Sequence, residues 1–183
     1  LLAQQLRTHS EDFVLVSSHY PMQTGGPHGG LSYGFLADRL IGLLGWAWGG
    51  LMNTYEPQYA TWIAETQAVF REHPPLVYSA GHDHSLQLLE AYDFARIEIV
   101  SGAGARKRVS TVTDITPTLF AHAAEGFVVL DFGARDGEEA VVVRVIEAAA
   151  EEPVFEMDLP LNGPLDHVIG GVRSQHRLSP GTR

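Results

Sequence analysis

The chain has no cysteine among its 183 residues. Thiolate zinc sites, iron–sulfur ligation and thiol nucleophiles are therefore excluded. Nor is a disulfide needed, because a domain of this length buries roughly 70% of the surface its unfolded chain exposes. Positive charge is scarce: 12 Lys+Arg stand against 22 Asp+Glu, a formal net charge of −10. A basic nucleic-acid reader is not expected, and a phosphate substrate would have to be drawn in by a local feature such as bound metal ions. Long hydrophobic runs are lacking too. The longest, from Phe35 to Met52, is broken by Asp38 and Arg39 and carries four glycines, so no membrane span is expected. Glu11 and Asp12 stand where a signal peptide would have its apolar region, so no targeting segment is expected, and the leading Leu1 suggests a processed or truncated chain. A cysteine-free chain leaves the compartment open, periplasmic or extracellular included.

Short stretches rich in β-branched and aromatic residues predict strands at Phe13 to Ser17, Leu76 to Ser79, Leu86 to Leu89, Arg96 to Val100, Phe127 to Asp131 and Ala140 to Ile146. Helices are predicted over Leu1 to His9, Leu31 to Leu44 and Pro57 to Glu72, the last with apolar residues at Tyr59, Ile63, Ala64 and Phe70. This order gives an α/β domain with an antiparallel tail of strands. A first region, 1–147, carries these elements. A second, 148–183, is read as an acidic tail with Pro and Gly, and its end from Ser174 to Arg183 is expected to be flexible.

Three of the nine histidines follow predicted strands, where α/β folds build their sites. His19 follows FVLVSS, and His82 and His84 follow LVYSAG. In an extended segment His82 and His84 would point to one side, so both imidazoles could converge on one centre or on two adjacent ones. Neutral imidazole is the commonest transition-metal ligand, and Asp83 between the pair is placed to orient a ring nitrogen. His28 lies in a glycine-bearing loop after His19, and Arg106, Lys107 and Arg108 form a dense basic run.

Ser18-His19-Tyr20-Pro21 with His28-Gly29, then Gly81-His82-Asp83-His84-Ser85-Leu86-Gln87, then Ile99 to Gly104, occur in that order. Together they resemble the later signatures of the calcineurin-like metallophosphoesterases, in the purple acid phosphatase-like branch. Ser18 replaces the glycine usual there. The resemblance covers about Leu1 to Ile146. It implies a four-layer αββα sandwich, of which this chain would supply the second half, mostly strands with two or three helices. It implies two metal ions of the Fe, Mn or Zn class, with His19 and His82 on one and His84 on the other, and a catalytic His28 near the substrate phosphate. The activity implied is hydrolysis of phosphate monoesters by a metal-activated hydroxide.

The family's earlier signatures are absent, since neither Gly-Asp nor Gly-Asn-His occurs ahead of His19. Three histidines cannot close two metal sites. The expectation is therefore a phosphatase whose N-terminal half lies elsewhere, the isolated chain being inactive. The alternative is a noncatalytic binding or structural remnant. Trp46, Trp48 and Tyr55 are candidate contacts at the pocket rim.

Overall fold

The computed structural model describes residues 1–29, 56–104, 109–115, 118–135, 138–159 and 161. The helix expected over Leu31 to Leu44, the aromatic residues Trp46, Trp48 and Tyr55, the basic run Arg106 to Arg108 and the end from Ser174 to Arg183 lie outside the described residues. The chain is α/β, with two helices and two sheets among the described residues. It divides into two compact units, Leu1–Glu125 and Gly126–Arg183.

The first unit holds helix α1 (Leu2–Thr8), strand β1 (Leu15–Ser17), helix α2 (Pro57–Glu72), and strands β2 (Val77–Ala80), β3 (Leu86–Glu90), β4 (Ile97–Ser101) and β5 (Thr118–His122). Pro57 opens α2, where its missing N–H costs nothing, and Pro74 and Pro75 prevent its continuation. Tyr59, Trp62, Ile63 and Phe70 recur at helical spacing and form its inner face. The five strands are ordered β1-β2-β4-β3-β5. β1, β2 and β4 run parallel, while β3 runs antiparallel to both β4 and β5. Four of the five residues in β3, and four of the five in β4, are buried, as expected of strands covered on both faces. Phe70 and Tyr78 meet at a ring-centroid distance of 5.8 Å within a core shared with Leu6, Met22 and Phe94.

The second unit is a three-stranded antiparallel sheet of β6 (Gly126–Arg135), β7 (Glu138–Glu147) and β8 (Phe155–Leu159), in sequence order. Val141, Val143 and Val145 alternate inward on β7 and pair with Leu159, Met157 and Phe155. Arg144, on the opposite face, pairs with Asp131 and Glu156. All six predicted strands and both described helices are present within a few residues of their predicted bounds. Two strands were not anticipated, β5 and β8, and β8 falls within the region expected to be tail.

Candidate functional site

Register brings the histidine segments together. Ser17 of β1 pairs with Ser79 of β2, so the chains leaving these parallel strands run side by side, and the Gly81 amide donates to the His19 carbonyl at 3.1 Å. His19 Nε2 lies 3.2 Å from His82 Nδ1. The His28 ring packs against His82 at a centroid distance of 4.0 Å, and Tyr20 contacts both His19 and His82 at 4.8 and 4.9 Å.

The backbone at His82 explains how its ring reaches this position. His82 has φ 63°, the left-handed region that non-glycine residues rarely adopt, and the Asp83 amide closes a tight turn onto the Gly81 carbonyl at 2.7 Å. Such a conformation costs on the order of 1–3 kcal/mol and persists only where surrounding structure enforces it. The end of β4 enforces it here: a Cβ at Gly102 would stand 2.0 Å from the Asp83 carbonyl oxygen, so the chain leaving β4 abuts this turn through a residue that has none.

The turn also redirects the chain beyond it. The segment from His82 to Ser85 is a run of bends, so the extended geometry expected to align His82 with His84 is absent. His84 is instead held through its backbone, with its amide on the Ser110 hydroxyl at 3.3 Å and its carbonyl receiving the Ser110 amide at 2.8 Å. Its ring takes no part in the contacts that join His19, Tyr20, His28 and His82.

Asp83 is fully buried and serves the loop of His28. Its carboxylate accepts from the Thr24 hydroxyl and, at 3.4 Å, from the His28 amide, and it lies 3.9 Å from His28 Nε2. A Cβ at Gly26 would come within 2.5 Å of that carboxyl group, so glycine is what lets the loop close over it. The Gln87 side-chain amide completes the network, donating to Thr24 and Ser85 while its oxygen accepts from the Gly25 amide at 2.8 Å.

Between His19 and His28 the chain is held by buried side chains. Tyr78 donates its hydroxyl to the Tyr20 carbonyl, Tyr59 donates to the Pro21 carbonyl, and Glu98 accepts from the Met22 amide at 2.6 Å and the Gln23 amide at 3.0 Å. Burial pushes the Glu98 carboxyl up from 4.5 to about 8, against the lowering effect of hydrogen bonds from the Gln23 and Met22 amides and the Gln23 side chain. Burial, reinforced by neighbouring Tyr78, Glu98, Asp83 and Tyr20, raises the Tyr59 phenol far above its usual value. Tyr78 is raised in the same way, by burial first, against a hydrogen bond with Ser18. Both phenols therefore remain O–H donors at neutral pH.

The sequence pattern did not identify Glu98, Gln87, Tyr59 or Tyr78 as supports of the site. A signal was present: Glu98 and Gln87 are polar residues flanked on both sides by apolar ones within strand segments, and each is fully buried.

The geometry fits part of a metal site. Two ligands held at about 2.0–2.1 Å from one tetrahedral ion stand about 3.3 Å apart, close to the His19–His82 separation of 3.2 Å. Among the described residues, no group of three or more His, Cys, Asp or Glu side chains is placed to hold a metal ion. The same 3.2 Å separation is that of a hydrogen bond between the two rings, so the described residues bring together two imidazole nitrogens and no third donor.

No family model matches the chain, and no curated protein matches it. A solved structure described as GAP50, the anchor in the inner membrane complex of Plasmodium, is similar to it with a TM-score of 0.52 and 18% identity. The likeness covers 90% of this chain and 42% of that one, so this chain spans less than half the length of that structure. At such identity the likeness shows the fold alone. These findings correct the expected membership in the calcineurin-like metallophosphoesterases: no family model supports it, and the similar structure is described as an anchor in a membrane complex, not as an enzyme of that family.

Proposed function

We propose that this chain supplies the histidine half of a metal-dependent site for phosphate ester hydrolysis, completed by donors outside the described residues. The observation that carries this reading is the His19–His82 pair, with ring nitrogens 3.2 Å apart at the ends of two parallel strands. The strained backbone at His82 supports it, since strain of this kind collects at functional sites. In this reading His19 and His82 hold one ion and His84 reaches a second, the ions belonging to the Fe, Mn or Zn class. Such ions supply Lewis-acid polarisation of a phosphoryl oxygen and local positive charge, which the net −10 of the chain otherwise denies an anionic substrate. His28, packed on His82 and backed by Asp83, would hydrogen-bond the phosphoryl or leaving-group oxygen. The five-stranded sheet of the first unit would be one inner layer of a four-layer αββα sandwich.

A second reading is a noncatalytic binding or structural module. Two observations favour it: no group of three donors among the described residues, and a structural neighbour described as an anchor. Calorimetric titration of the chain with Zn²⁺ and Mn²⁺, combined with NMR of the imidazole resonances, separates the two. Binding that shifts the His19 and His82 rings and is lost in His82→Ala supports the metal reading. Binding unaffected by His82→Ala, or no binding, removes it in favour of the second. Hydrolysis of p-nitrophenyl phosphate is expected only when the chain is combined with the polypeptide that completes the site; turnover by this chain alone would contradict the half-site.

A further inference from the structure

The segment from Tyr20 to Gly25 links His19 to the loop of His28 and lies in no helix or strand. Its backbone is nevertheless held at almost every residue, and the holders come from different elements: Tyr78 on β2 takes Tyr20, Tyr59 on α2 takes Pro21, Glu98 on β4 takes Met22 and Gln23, and Gln87 on β3 takes Gly25. The Thr113 amide donates a hydrogen bond to the Gly25 carbonyl at 2.9 Å. Glu98 alone receives two adjacent N–H groups, and it does so with no exposure to water. A buried donor that loses its acceptor is destabilising, so removing the Glu98 side chain deprives the buried Met22 amide and the partly buried Gln23 amide of theirs in the middle of the segment.

From this geometry we infer that Glu98 is the positioning residue of the histidine cluster, fixing the segment whose two ends set where His19 and His28 meet His82. The inference rests on the proposed function for what the cluster does, but its geometry belongs to the metal-free chain. Glu98 touches none of the cluster rings and acts through backbone. The titratable groups that face it are the phenols of Tyr59 on α2 and Tyr78 on β2, both held protonated by burial. Oε1 accepts from both amides, at 2.6 and 3.2 Å, so a glutamine at this position can keep both bonds without a titratable proton.

NMR of the metal-free chain tests this, reading the nuclear Overhauser contact between the His28 and His82 rings and the exchange protection of the Met22 and Gln23 amides. In Glu98→Ala the ring contact is expected to be lost and protection of the two amides to fall by about tenfold or more, while the amides of Leu88 and Val100 keep theirs. Glu98→Gln is expected to retain both signals. Retention of the ring contact in Glu98→Ala, or its equal loss in both variants, overturns the inference. If Glu98→Ala does not fold, the pH dependence of the wild type decides. The Met22 and Gln23 amide resonances should then share a transition, well above the ordinary carboxylate range, that is missing from Glu98→Gln. Amide resonances that titrate alike in both proteins overturn the inference. A chain that passes these tests yet binds no metal refutes the proposed function and leaves the positioning role standing.

Discussion

Ionising Glu98 should make the first unit lose stability as pH rises. The side chain is fully buried, and its carboxyl is pushed up to about 8 in the folded chain from an ordinary value of 4.5. Between these two values the folded state holds a proton that the unfolded state has released, so stability falls as pH increases through this window. At about 1.36 kcal/mol per pKa unit, the full shift corresponds to about 5 kcal/mol. Between about pH 5 and pH 8 the linkage relation gives a loss of about 3–4 kcal/mol from this group. Glu98→Gln isolates the contribution because it preserves a shared acceptor for the Met22 and Gln23 amides. Urea unfolding of both proteins at several pH values is the assay. The wild type should weaken relative to Glu98→Gln by that amount on going from about pH 5 to pH 8, with unchanged m-values. A difference between the two proteins that stays constant over this range would refute the reasoning, since it would mean that burial of the carboxyl does not set its proton affinity.

Gly102→Ala should cost about 1–3 kcal/mol or more by urea unfolding, because a Cβ there would stand 2.0 Å from the Asp83 carbonyl oxygen and no flexible side-chain end is available to yield; a loss under about 1 kcal/mol would show that the turn relaxes. Phe70→Ala removes a ring with no solvent exposure and should destabilise the first unit by about 3–5 kcal/mol, read from the same curves. Arg144→Ala should change the stability of the second unit by no more than about 1 kcal/mol, because Asp131 and Glu156 are 52% and 40% exposed, and the effect should fade in high salt.

Much of the local structure was legible in the chain. The bounds of α2 follow from Pro57 at one end and Pro74 and Pro75 at the other, with Tyr59, Trp62, Ile63 and Phe70 marking one face between them. The strands that precede His19 and His82 follow from runs of Val, Leu and Tyr, and these placed both residues in loops after strands before any pairing was known. Strands β5 and β8 were missed because TLFAH and FEMDL carry polar residues that weaken the pattern; their pairing with β3 and β7 supplies what their composition lacks.

The class of elements, the excess of negative charge and the presence of histidines at strand ends were all set by the sequence alone, because they are properties of composition and short-range period. Which histidines meet was decided only by the tertiary structure. The left-handed backbone at His82 turns the chain so that its ring faces His19 and His28, while His84 is fixed through its backbone to Ser110. The groups that hold this arrangement lie far apart along the chain, Met22 and Glu98 by 76 residues and Thr24 and Asp83 by 59. Periodicity reports the face a residue presents and carries no information on its partner, so a buried carboxylate and the amides it binds become a pair only once the sheet has set its register.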